Sequence, residues 1–179
     1  MSAPIRLVEI GLLVLLALIC DIRTYKIKNQ IVFPFVILGI ITNAVSDGLN
    51  GIIFSLVGLC TPIIVLILLF MLRMLGAGDV KLFAAIGAIM GAKFALYTIV
   101  YSFLAGGVIA LFILIFNKNG KKRLLYLLNY IRNCILSFSL LPYGKFDKNN
   151  KGTYFRFAYA IAFGTLMQLI LNPLMFQFI

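Results

Sequence analysis

Polar and apolar positions alternate along this chain in blocks, not with the two- or four-residue rhythm of a soluble strand or helix. Long apolar runs occupy residues 4–20, 31–45, 51–72, 80–90, 94–116 and 155–178, and short polar, glycine-containing or basic stretches separate them. A membrane-spanning helix takes about 20 consecutive apolar residues, so the pattern predicts an all-α polytopic membrane protein of about six spans in a single domain. The second run carries Pro34 in its first turn, where proline is tolerated, and becomes polar at Thr42, Asn43 and Ser46. Asp47-Gly48-Leu49-Asn50-Gly51 reads as a tight turn, with Asp47 as a turn residue. Pro62, in the middle of the third run, predicts a kink. The fourth run is short, and its Gly87 and Gly91 have the GxxxG spacing that permits close helix contact. Residues 124–141 are apolar but interrupted by Asn129, Arg132 and Asn133, which predicts a basic amphipathic helix lying on the membrane.

Charge supplies the orientation. The net charge is +11, and 63% of residues are hydrophobic. The basic residues gather between the runs. With six spans and the N-terminus outside, fourteen Lys and Arg fall on the cytoplasmic side, and only Arg6 and Lys93 fall outside. That is the asymmetry of the positive-inside rule. No basic-aromatic stretch suited to nucleic acid is present. The basic loop 117–123 is expected to meet anionic lipid head groups, at roughly 1 kcal/mol per basic residue near the surface. Ile19-Cys20-Asp21 lacks the small residues of a signal-peptide cleavage site, so the first run is read as a retained span.

Composition narrows the chemistry. There is no histidine, and the three cysteines (Cys20, Cys60 and Cys134) have no CxxC spacing. Ser-His and Cys-His catalysis are excluded, and no metal or cofactor is expected. Only five acidic residues remain: Glu9, Asp21, Asp47, Asp79 and Asp147. Arg6 and Glu9, three apart near the start of the first run, predict an ion pair at the membrane interface. Asp21 ends the first run, and Asp79 opens the fourth within Gly76-Ala77-Gly78-Asp79-Val80-Lys81. Charge at the edge of hydrocarbon is costly and usually functional. The charge count puts both aspartates on the same, cytoplasmic side.

Two adjacent carboxylates sharing a proton can activate water and polarise a carbonyl. The simpler readings are helix capping for Asp79 and a loop ion pair with Arg23 or Lys26 for Asp21. Helix dipoles predict that Asp79, at a helix N-terminus, stays ionised, while Asp21, near a C-terminus, is the more easily protonated member. Gly76 and Gly78 leave room for backbone angles and close approaches that other residues prevent.

These residues resemble the type IV prepilin peptidases. Gly76-Ala77-Gly78-Asp79, followed by Val80-Lys81-Leu82, resembles that family's GxGD motif. Asp21, with Ile27 and Asn29, resembles its first motif, an aspartate followed by Ile-Pro-Asn; Lys28 stands at the proline position. The run from Ala158 to Gly164 resembles its final span. The resemblance implies an integral-membrane aspartic endopeptidase with Asp21 and Asp79 as catalytic pair. Gly76, Gly78, Lys81, Ile27 and Asn29 would be supporting motif residues. It implies cleavage of the short basic leader of prepilin, preflagellin or pseudopilin precursors at the cytoplasmic membrane face. Larger members carry a CxxC-containing cytoplasmic region and methylate the new N-terminus. Here no CxxC occurs, so the likeness is to the small, peptidase-only branch of tight-adherence pilus and preflagellin peptidases, and methylation is not expected.

Two other readings use the same acids. A proton-coupled transporter would place carboxylates near the bilayer midplane in repeated halves. An intramembrane GxGD protease of the presenilin type would place the first aspartate differently. A purely structural membrane component would need neither acid.

Overall fold

The computed structural model describes residues 2–24, 27–72, 74–116 and 157–171. Among them the regular elements are all helices: α1 (Ser2–Thr24), α2 (Asn29–Met71), α3 (Ala77–Met90), α4 (Ala92–Phe116) and α5 (Phe157–Leu171). The predicted basic loop 117–123 and amphipathic segment 124–141 lie outside the described residues. The chain clusters into two compact units, Met1–Gly106 with Arg156–Ile179, and Gly107–Phe155. Of the second, the last turns of α4 are described. The core and the site residues belong to the first.

The predicted runs 31–45 and 51–72 form one continuous helical element interrupted at Gly48, where φ is 59° and ψ −133°. Glycine alone adopts such angles at little cost. The Asn43 amide donates to Ser55 Oγ at 2.7 Å, and Ser55 Oγ donates to the Gly39 carbonyl at 3.4 Å. Residues 39 and 55 of a straight helix would stand about 24 Å apart, so α2 doubles back at Gly48. The expected turn is therefore present. Pro62, where a kink is expected, is buried within α2 and keeps helical dihedrals, and the break in those dihedrals lies at Gly48.

A second glycine sets the next boundary. Gly91, at φ 86°, ends α3 and is the single residue between it and α4. Its N–H donates to the Gly87 carbonyl at 2.7 Å.

α3 is the central element. Every residue from Leu82 to Met90 is buried, which is how a helix apolar on all sides is accommodated. It packs chiefly against α2 and also touches α1, and α1 in turn touches α5. Leu82, Phe83, Ile86 and Ile89 meet Ile10 and Leu13 of α1, Val32 and Leu66 of α2, and Ile161 of α5 in one apolar core. The built side-chain positions of Gly58 and Gly87 each meet the other's backbone carbonyl, so these two helices touch backbone to backbone.

Outward faces are apolar as well. Val8, Leu15, Ile37, Ile53, Ile64 and Leu68 are all largely exposed. Surfaces this apolar suit hydrocarbon. Asn29–Met71 and Ala92–Phe112 are long and apolar enough to cross a membrane.

Arg6 departs in part from expectation. It feels the charge of Glu9 as expected, but it is only 2% exposed and also pairs with Asp47 at 3.5 Å, beside the Gly48 break. The Phe54 ring centroid lies 5.9 Å from its guanidinium carbon, within cation–π range. Glu9 accepts a hydrogen bond from Thr42. Both residues of α1 thus reach across to α2, a tertiary choice that spacing within α1 does not reveal.

Candidate active site

The site forms where α1 ends and α2 and α3 begin. Asp21 lies in the last turn of α1, three residues before its end. That turn is closed by Thr24 Oγ1, which donates to the Cys20 carbonyl at 2.9 Å. Arg23, also in this turn, complements the negative end of the helix.

Asp79 is the third residue of α3, one position before the apolar stretch that starts at Val80. The N-cap is Gly76, in extended conformation, and the N–H groups of Asp79 and Val80 donate to its carbonyl at 3.1 and 3.3 Å. The Asp79 carboxylate in turn accepts a hydrogen bond from the Gly76 backbone. This is the acidic half of a capping box, in which the third helical residue reaches back to the N-cap amide. The carboxylate folds so closely over Gly76 that a Cβ there would stand 3.0 Å from Asp79 Oδ2. Glycine at position 76 is thus favoured by this contact and not by its extended backbone angles.

Burial pushes the Asp79 carboxyl up from its ordinary value of 3.8 to about 6; the bond from Gly76 opposes that shift, and the charge of Asp21 adds to it. Two conclusions follow. The two aspartates are close enough to feel each other electrostatically. And the helix-dipole expectation for Asp79 meets an opposing effect, because lost hydration raises this carboxyl despite the Gly76 bond.

The remaining motif residues converge on the same place. Ile27 packs on Gly78, where an added Cβ would stand 3.2 Å from Ile27 Cβ. Lys81 Nζ donates to Asn29 Oδ1 at 2.9 Å. Lys28, at the N-cap of α2, has φ −77° and ψ 138°. Those are polyproline angles, and the φ is one that proline itself would impose. Asp21, Ile27, Asn29, Gly76, Gly78, Asp79 and Lys81 are therefore gathered at one end of the helix cluster. Among the described residues no group of three His, Cys, Asp or Glu gathers to hold a metal ion.

Sequence reasoning passed over Asn43, which is fully buried. Its Nδ2 donates to Ser55 Oγ and to the carbonyls of Ala88 and Ile89, at 3.1 and 3.2 Å. These carbonyls belong to the last turn of α3, where a helix leaves acceptors without partners. Asn43 thus holds the far end of the helix that carries Asp79. An amide inside an apolar run was the available signal.

A family model described as the type IV leader peptidase family matches residues 9–111, more than half of the chain and inclusive of both aspartates and both motif loops. No match was found among curated proteins or among solved structures.

Proposed function

The chain belongs to the type IV leader peptidase family, and from that membership we propose a membrane aspartic endopeptidase that removes the short basic leader of a prepilin-like precursor at the cytoplasmic face of the cell membrane. The observation that supports the aspartic assignment is the electrostatic influence of Asp21 on Asp79, at the end of the helix cluster where the motif residues gather, with the Asp79 carboxyl raised to about 6 chiefly by burial. Such a pair holds one proton between two carboxyls over a useful pH range.

In this reading the proton resides on Asp79. Ionised Asp21 takes a proton from a water molecule as the water oxygen attacks the scissile carbonyl carbon. The Asp79 O–H hydrogen-bonds the carbonyl oxygen and transfers its proton as that oxygen gains charge. Collapse of the tetrahedral intermediate breaks the C–N bond. The leaving amine takes the proton held by Asp21, and the hydroxyl proton returns to Asp79. The supporting topology is one membrane-embedded domain of six spans with the N-terminus outside, both aspartates facing the cytoplasm, and basic loops against anionic lipid.

The test is cleavage of prepilin precursors in membranes by wild type, Asp21→Asn and Asp79→Asn. Each change keeps the shape and removes a titrating carboxyl. Loss of cleavage in both, at unchanged protein level, is expected. Cleavage by both variants at the wild-type rate sinks the dyad. The transporter reading is opposed by the position of both acids at helix ends, and it would show instead as proton flux lost in the same variants.

A further inference from the structure

Lys81 is poorly placed for the stability of the helix it belongs to. It is the fifth residue of α3, and its ammonium reaches the first residue of α2. Both are helix N-termini, where the positive end of the dipole disfavours a cation. The α2 N-cap, Lys28, makes no side-chain capping bond and adds another positive charge beside it.

The geometry gives the placement a purpose. Residues 27 and 28 are non-helical, and in an extended stretch side chains two apart fall on the same side. Ile27 and Asn29 are such a pair. On α3, Gly78 and Lys81 are three apart and share a face. Ile27 meets Gly78, and Asn29 meets Lys81. The stretch 27–29 is therefore laid along one face of α3 at two points, apolar and polar. Asp79 stands between those points in sequence, and Asp21 lies six residues before Ile27.

We infer that Lys81 is a positioning residue whose ammonium, held on Asn29 Oδ1, pins the 27–29 stretch to α3 and so sets Asp21 against Asp79. The inference rests on the dyad reading above. Lys81 touches neither carboxylate in this role; it acts through Asn29 and the segment that follows Asp21. The two-point contact also accounts for a non-proline residue at position 28. Lys28 is held at proline-like angles by its neighbours' contacts, where a proline would hold them covalently.

The experiment uses the full chain in detergent micelles with a prepilin precursor that the wild type cleaves, and needs two readouts. The first is steady-state cleavage. Lys81→Met and Asn29→Ala should each lower kcat about 10- to 100-fold with KM changed by less than about twofold, as expected for misplaced catalytic groups. The double variant should be no worse than either single, since both remove the same contact. Lys81→Arg and Lys81→Met/Lys28→Pro should recover most of kcat, the first by restoring a donor and the second by fixing the stretch covalently. The second readout is amide exchange at residues 29–32, which needs no substrate and should quicken in Lys81→Met.

Wild-type kcat in both single variants overturns the proposal, as do additive losses in the double. A kcat loss that follows a fall in thermal midpoint, with no recovery by arginine or proline, makes the contact structural and overturns it too. Cleavage surviving in Asp79→Asn removes the dyad reading itself, and this role with it. Cleavage lost in Asp79→Asn but intact in Lys81→Met removes the role alone.

Discussion

The two ends of α3 are built on opposite terms. At its C-terminal end, Gly87 lies against Gly58, Gly39 accepts Ile89 Cα at what would be 3.0 Å from a Cβ, and the last carbonyls are capped by a buried amide. At its N-terminal end the N-cap is a glycine with no side chain of its own to cap the helix. An exposed lysine makes one hydrogen bond across to α2, and a carboxyl is held against its preference for water. Every residue of α3 beyond Lys81 is buried, whereas those before Leu82 are half-buried or exposed. The well-packed end supplies a fixed reference. The loosely packed end uses that reference to keep a poorly hydrated carboxyl in place, an arrangement common at functional sites, where local cost is offset elsewhere in the fold.

The sharpest way to break this comparison is to separate the packed end. Gly87→Val puts a branched side chain into a backbone carbonyl of α2, and backbone cannot rotate away as a side chain can. The expected loss exceeds about 4 kcal/mol, the range reserved for severe overpacking. It would be read as absent monodisperse protein after solubilisation. Gly11→Ala is the matched control: nothing lies within 4 Å of its Cβ position, so it should gain roughly 1 kcal/mol from helix propensity alone. A well-folded Gly87→Val would mean that α3 is not anchored at its C-terminal end.

At the other end the sign reverses. Asp79 titrates at about 6 when folded, against an ordinary 3.8. Its folded-state pKa is raised, so the stability tied to the neutral carboxyl is fully present below about pH 4. That stability is lost as pH rises through 6. At pH 7 the ionised carboxyl costs about 3 kcal/mol, from two pKa units at about 1.4 kcal/mol each. Asp79→Asn should therefore abolish cleavage and at the same time raise the thermal midpoint at pH 7, with the gain vanishing near pH 4. Wild-type cleavage should decline on the alkaline side with a midpoint near pH 6. A midpoint lowered by Asp79→Asn at pH 7 would show that the carboxylate stabilises α3 as a simple cap.

This asymmetry was half visible in the sequence. Asp21 and Asp79 stood out because carboxylates are rare beside apolar runs, and the turn at Gly48 was marked by the polar, glycine-containing stretch 47–51. The spacing of Ile27 and Asn29 after Asp21 marked the first motif, but only the fold shows those residues lying on Gly78 and Lys81. What stayed hidden depends on tertiary burial. The ionisation of Asp79 follows from packing around α3, which no dipole argument contains. Arg6 reaches Asp47 as well as its near neighbour Glu9 because the doubling back of α2 brings position 47 to it.

The smallest of these effects tests the anchor without destroying it. Asn43 Nδ2 has two hydrogens and three acceptors within 3.2 Å, so at least one hydrogen is shared. Its Oδ1 is buried with no hydrogen-bond partner among the described residues. The side chain therefore carries a cost of its own, which offsets part of what its donors contribute. Asn43→Ala strips the Ala88 and Ile89 carbonyls of this partner and also removes the unsatisfied oxygen. The net loss should fall near the lower part of the 1–3 kcal/mol range for leaving buried acceptors unmet, about 1–2 kcal/mol. Thermal unfolding of the detergent-solubilised protein measures it. Because Asn43 acts at the far end of α3 from the carboxylates, cleavage by the folded fraction should keep its pH profile. If Asn43→Ala instead moves the alkaline midpoint of cleavage, the two ends are mechanically continuous, and the anchor sets the environment of Asp79 as well as its position.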